Sequence, residues 1–226
     1  MKPILFNTEM VKEIMEGRKA VTRRIIKKTN NKDFIRFVTC SVPKGDEGKV
    51  DFGRGSLEDI GNANIDEYVR PPYKVGDILY VRETWSTQYN GVDDDNGYGE
   101  YVYKADGVKL DNSEGNCSKW RPSIHMPKEA ARIFLKVTNV RVERLQDITE
   151  EGAIKEGIRV YTKDEKVYKY ALNEEQYPWI VMTREPITPF CELWNSTIKK
   201  EQLNKYSWQA NPWVWVIEFE RIEKGK

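Results

Sequence analysis

Apolar residues arrive along this chain in short runs rich in β-branched and aromatic side chains, set at uneven intervals and separated by long polar stretches. Such spacing narrows the folds open to it. Val21–Ile26, Ile78–Glu83, Ala131–Glu143 and Trp213–Ile222 read as strands. In the third of these Ile133, Leu135 and Val137 alternate against Arg132, Phe134 and Lys136; in the last, Trp213, Trp215, Ile217 and Phe219 share one face. Ile78–Glu83 is apolar on both faces and is expected in the centre of a sheet, launched by a turn at Pro71–Asp77.

Helices are few and short. Asn7 or Thr8 caps a helix over residues 8–16, with Val11, Ile14 and Met15 on one face and Gly17 where a left-handed residue ends it. Thr149, Glu150 and Glu151 open a second helix with acid in its first turn, closed by Gly157. Thr188-Pro189 is expected as N-cap and first residue of a third, which buries Phe190, Leu193, Trp194 and Ile198. Strands at uneven spacing with short helices between them predict an α+β fold. The expected form is a small barrel or curled sheet rather than a doubly wound parallel sheet. All 226 residues are expected in one domain, with insertions at about 27–70, 89–117 and 159–187.

Charge and rare residues exclude several functions. Lysine plus arginine number 37 against 36 acidic residues, so no global excess exists to hold a long polyanion, and any nucleic-acid contact must rest on a local cluster. Seven tryptophans and twelve tyrosines exceed what a core of this size needs, which points to rings lining a surface or pocket. His125 is the single histidine, which removes RNA cleavage by two imidazoles and any histidine-rich zinc site. Cys40, Cys117 and Cys191 are odd in number and lack metal-ligand spacing, so they read as reduced thiols, with no structural metal and no cofactor. The first residues have too short an apolar stretch for a signal segment, and nowhere do eighteen apolar residues run together. A cytoplasmic location without membrane association is the expectation.

The segment Gly17-Arg18-Lys19-Ala20-Val21-Thr22-Arg23-Arg24 packs four cations and no acid around a helix-to-strand corner. Such a corner can hold a phosphate, with Arg24 offering planar bidentate geometry and Lys19 a point charge; a solvated basic strand edge is the plainer alternative. Glycine, any residue, lysine, four residues and arginine is the signature of the ASCH domains, relatives of the PUA RNA-binding barrel, and Gly17, Lys19 and Arg24 match it. The similarity extends to residues 72–85, 120–127, 148–153 and 211–217, which resemble the longer ASCH proteins of bacteria and their phages. The resemblance implies a PUA-like barrel that binds RNA or a nucleoside.

One small branch of the family hydrolyses the acyl amide of N4-acetylcytidine with a lysine, a threonine three residues on and a glutamate in a later helix. Lys19, Thr22 and Glu156 match those residue types here, although Ala20 stands where a threonine often follows the motif lysine. The enzymatic alternative is therefore an amidohydrolase for N4-acylated cytosine nucleosides, with Lys19, Thr22 and Glu156 catalytic. A third alternative is a phage-derived interaction or assembly protein that docks through the insertions. Gly17, Arg18, Arg23 and Arg24 are candidates for contact with the nucleotide. Glu83, beside Trp85 at a strand end, is expected either to read a base edge or to pair with one of the motif arginines. Trp85, Trp120 and Tyr73 are candidates to stack on a base, against the alternative of core packing, while Trp194, Trp213 and Trp215 are expected in the core. His125 reads as structural, and Asp93–Asp95 as a solvated loop tip.

Overall fold

Period-two alternation needs only four or five residues to bury one face, so short apolar runs make strands where helices cannot nucleate. A computed structural model of the chain describes residues 1–29, 31–39, 45, 47–88, 100–110 and 119–223. In chain order the elements are β1 (Lys2–Leu5), α1 (Thr8–Met15), β2 (Val21–Ile25), β3 (Asp33–Phe37), β4 (Val50–Arg54), β5 (Asn64–Val69), β6 (Ile78–Arg82), β7 (Trp85–Gln88), β8 (Glu100–Tyr103), β9 (Phe134–Arg144), α2 (Glu150–Lys155), β10 (Arg159–Thr162), β11 (Tyr168–Ala171), α3 (Ile187–Thr197), α4 (Leu203–Tyr206) and β12 (Trp213–Ile222). The mixed α+β content expected from the sequence is what the chain adopts, with strands predominating. Its sheets are open, and no closed barrel is found among the described residues. The chain divides into two contact-dense units, one built from Met1–Ala20, Gly76–Lys136 and Phe219–Lys226, the other from Val21–Val75 and Val137–Glu218.

In the first unit β6 lies between two partners, as its two apolar faces require. It runs parallel to β1, with Lys2 opposite Leu79 and Leu5 opposite Arg82, and antiparallel to the start of β9, with Leu79 opposite Leu135. Ile4, Phe6, Val11, Ile14, Leu79, Val81, Ile133 and Leu135 are all buried. Asn7 caps α1 by accepting a hydrogen bond from the Met10 amide at 2.9 Å. Strands β7 and β8 form an antiparallel pair, and Trp85 packs with Met126, Ala130, Ala131 and Phe134 in an apolar cluster.

The second unit pairs β2 with β12, Val21 opposite Glu218 through Ile25 opposite Val214. Its core gathers Val21, Leu145, Ile148, Ala153, Ile158, Phe190, Trp194, Val214 and Val216. The helix expected to start at Thr188-Pro189 starts at Ile187, with Pro186 at the cap, so Pro189 lies inside the first turn. There its missing N–H still faces no intrahelical acceptor. Trp194 and Trp215 are buried as expected; Trp213 is partly exposed, with Phe34 and Phe52 at 5.9 Å and the Arg144 guanidinium 4.1 Å above its ring.

The stretch expected to be an inserted loop or hairpin is a three-stranded antiparallel sheet, β3-β4-β5. Register shifts between Phe34 and Arg36 and between Phe52 and Gly53 break the period of two that identifies strands in a sequence. At the second shift the backbones approach so closely that a Cβ on Gly53 would stand 1.9 Å from the Asn64 carbonyl oxygen. Gly53→Ala is therefore expected to cost about 2 kcal/mol or more of unfolding free energy, because backbone rather than a flexible side chain must move. Gly61, with open space around its Cβ position, is the control, and Gly61→Ala should stay within about 0.5 kcal/mol in the same denaturant titration.

Candidate functional site

Gly17 has φ +75°, ending α1 in the left-handed region, and the amides of Arg18 and Lys19 both donate to the Glu13 carbonyl at 2.9 and 3.1 Å. Lys19 thus lies in the turn, two residues before β2 begins, and it is buried with 3% of its surface exposed. The Arg18 guanidinium turns back to Glu16, with Nε donating at 2.8 Å. These residues belong to the first unit.

Beyond the turn β2 presents two faces. Thr22 lies opposite Ile217 and is buried, and Arg24, opposite Trp215, shares its face. Burial pulls the Arg24 guanidinium below its ordinary value, while Tyr73 and Glu156 push it back up. Arg23 takes the face of Val21 and Ile25, inside the apolar core, with its guanidinium 5.8 Å from the Phe190 ring. A cation there requires neutralisation. Its Nη1 donates to Glu156 Oε1 at 3.1 Å and its Nη2 to Glu143 Oε2 at 3.3 Å. Arg141 pairs in turn with Glu143 and with Glu218, extending the alternation of charge.

Helix α2 delivers Glu156 to this network as its C-terminal cap residue, 4% exposed. Thr149 caps the other end by accepting from the Gly152 amide at 3.0 Å. Glycine inside a helix costs about 0.5–1 kcal/mol relative to alanine, and its presence here has a steric reason. A Cβ on Gly152 would stand 3.3 Å from Arg23 Nη2 and 3.2 Å from both Ile148 and Thr149.

Glu83 is fully buried, and its partner is Arg132 rather than a motif arginine: Nε donates to Oε1 at 2.9 Å and Nη2 to Oε2 at 3.0 Å. Burial pushes the Glu83 carboxyl up and Arg132 only partly pulls it back. Burial also acts to lower Arg132, yet its hydrogen bonds to Glu83 and Asp106 leave it above the ordinary guanidinium value. Trp85 is 4% exposed, with Arg121 5.0 Å from its ring centroid and Tyr101 set edge-on at 5.7 Å. Trp120 and Tyr73 are partly exposed, and His125 is exposed.

The sequence placed Thr22, Arg23, Arg24 and Glu156 as candidates, and the second unit buries Thr22, Arg23 and Glu156 and joins the last two directly. Glu143, Arg141 and Glu218 were missed, because opposite charges on neighbouring strands leave no periodic signal. Cys40, Cys117 and Asp93–Asp95 lie outside the described residues. Among the described residues no group of three or more His, Cys, Asp or Glu side chains is placed to hold a metal, and no helix is long and apolar enough to cross a membrane. Burial pushes the Cys191 thiol up to about 11, so it stays protonated at neutral pH.

Two outcomes follow from this chemistry. Arg23→Met takes its guanidinium from Glu156, leaves Glu143 to Arg141, and should cost about 3–5 kcal/mol of stability in chemical denaturation, with part recovered in Arg23→Met/Glu156→Gln. At pH 8 alkylation of Cys191 in the native protein, followed by peptide mass spectrometry, should run on the order of a hundredfold slower than in denaturant, and should accelerate as pH approaches its raised value.

Comparison with protein-family models, with curated proteins and with solved structures returns no match to this chain.

Proposed function

We propose that the protein binds RNA or a nucleoside in a cationic pocket built on Gly17–Arg24. The observation that carries this reading is buried charge. Lysine and arginine are rarely withdrawn from water, and one short segment buries Lys19 and Arg23 to 3% and 5% exposure, with Thr22 between them at 3% and Arg23 neutralised by Glu156 and Glu143. Arg24 adds a guanidinium whose charged form is disfavoured by burial and which an anionic ligand would stabilise. Lys19 enters through the sequence motif, three residues before Thr22. The near-neutral chain favours a small ligand over a long RNA. The resemblance to ASCH domains supports the same ligand class and carries the PUA-like barrel as part of the proposal.

A second reading is favoured by the placement of Glu156, which is buried and held by Arg23 instead of projecting to solvent. In it the protein is an amidohydrolase for N4-acylated cytosine nucleosides. Lys19 takes a proton from Thr22 or a water, the oxygen attacks the acyl carbon, and the carbon–nitrogen bond breaks as Glu156 relays that proton from Lys19 to the leaving amine; where Thr22 is the nucleophile, a water then cleaves the acyl-threonine ester and restores its hydroxyl. Water supplies the oxygen of the released carboxylate.

Lys19→Ala and Arg24→Ala should each weaken a fluorescently labelled short RNA or cytidine nucleotide by about tenfold, the worth of one charge-assisted contact. The dependence of log affinity on log salt should have a slope of magnitude below about 2, since few phosphates are engaged. Unchanged affinity in both variants moves the ligand elsewhere. Hydrolysis of N4-acetylcytidine that is lost in Lys19→Ala, Thr22→Val and Glu156→Gln selects the enzyme; absence of turnover in the parent protein, with binding retained, selects the binder.

A further inference from the structure

Arg132 does more in the first unit than neutralise Glu83. Its Nε and Nη2 bind Glu83, its Nη1 donates to Asp106 at 2.8 Å, and Nη2 also meets the Met15 sulfur at 3.8 Å. One face of the guanidinium lies on the Tyr103 ring, 3.9 Å from its centroid. Tyr103 is itself anchored, its hydroxyl donating to the Ala130 carbonyl at 2.6 Å. Its edge is engaged and one face covered, and 26% of the side chain remains exposed. Arg132 lines a cleft of about 420 Å³ together with Arg221, Ile222 and Glu223.

Each wall of the cleft has a distinct chemistry. Arg221 is exposed and forms no ion pair among the described residues; its Nη1 donates to the Met15 carbonyl at 3.4 Å, at the end of α1. Met15 therefore touches both guanidiniums, one through its carbonyl and one through its sulfur. The charge of Arg132 is offset by two carboxylates, whereas no carboxylate among the described residues is paired with Arg221. Ile222 packs on the same apolar cluster as Tyr103 and supplies a fixed apolar wall. Glu223 is an exposed acceptor at the rim.

We propose that this cleft binds a nucleoside monophosphate: the base stacks on the outer face of Arg132 against Ile222, the phosphate pairs with Arg221, and Glu223 accepts from an exocyclic amine. Guanidinium planes stack on bases, and the fork of Arg221 suits a phosphate. The volume falls in the range of small-ligand sites. Four donor contacts and a ring hold Arg132 before any ligand arrives, so little ordering remains to be done on binding. The site is separate from the Gly17–Arg24 reading and stands without it.

Titration with AMP, followed by the amides of residues 221–223 and the Nε–H of Arg132 in nitrogen-edited NMR, tests the assignment. AMP should move these signals saturably. Adenosine should bind about tenfold more weakly for want of the phosphate contact, and Arg221→Ala should weaken AMP by a similar factor. Inosine monophosphate, which lacks the amine offered to Glu223, should bind more weakly than AMP, and Glu223→Gln should narrow that difference. Arg221 and Glu223 are exposed, so both variants retain the fold. Arg24→Ala should leave AMP binding at this cleft unchanged. The assignment is overturned if millimolar AMP leaves the Arg132 and Ile222 signals in place, or if Arg221→Ala binds AMP as the parent does. Loss of AMP binding in Arg24→Ala alone would overturn it too while supporting the other site, and oligonucleotide affinity insensitive to Lys19 and Arg24 would count only against that other reading.

Discussion

A guanidinium inside an apolar core must be neutralised where it stands, and in the second unit that demand falls on Arg23. Two carboxylates answer it, Glu156 from the end of α2 and Glu143 from β9, so a helix and two strands are tied to one side chain. Apolar packing alone would tolerate small rotations of α2 over β2. The charge pair does not, because any rotation that separates Arg23 from Glu156 exposes both to a medium that solvates neither. Gly152 belongs to the same constraint, since the helix comes this near only where a side chain is missing.

The first unit solves a similar problem differently. Glu83 is the buried charge there, and Arg132 reaches it from a partly exposed position while lying on Tyr103. Both units thus place an arginine beside a carboxylate with little solvent contact, but Arg132 donates through its Nε whereas Arg23 Nε is buried without a hydrogen-bond partner among the described residues. In the second unit the Arg23 guanidinium lies 5.8 Å from the Phe190 ring; in the first, Arg132 borders a cleft.

Much of this architecture is legible in the sequence where local rules govern it. Asn7 as cap, Gly17 as helix end, Thr149 as cap and the limits of β12 follow from single residues or from alternation across ten positions, and the central place of β6 follows from its two apolar faces. The three-stranded sheet over residues 33–69 was not legible, since two register shifts interrupt its alternation and Asp51 and Gly53 occupy buried positions that a pattern search reads as polar or breaking. Among the site residues, the cluster on residues 17–24 announces itself by composition. Glu143, which pairs with Arg23 from 120 residues away, becomes a neighbour only through the fold. Arg132 was visible only as the polar half of an alternating run.

The first unit takes its opening segment from Met1–Ala20 and its closing one from Phe219–Lys226. A growing chain therefore makes β1 and α1 before the rest of this unit and must carry them unfinished while the roughly 200 residues between the two segments are synthesised. At 5–20 residues per second that interval is roughly 10–40 s. Phe6, whose ring sits 6.1 Å from that of Phe219, waits for this neighbour until Phe219 has been made. The segments of the second unit all precede Phe219, so its chain is made before the first unit can be completed, although the first unit's opening segment was made before any of it.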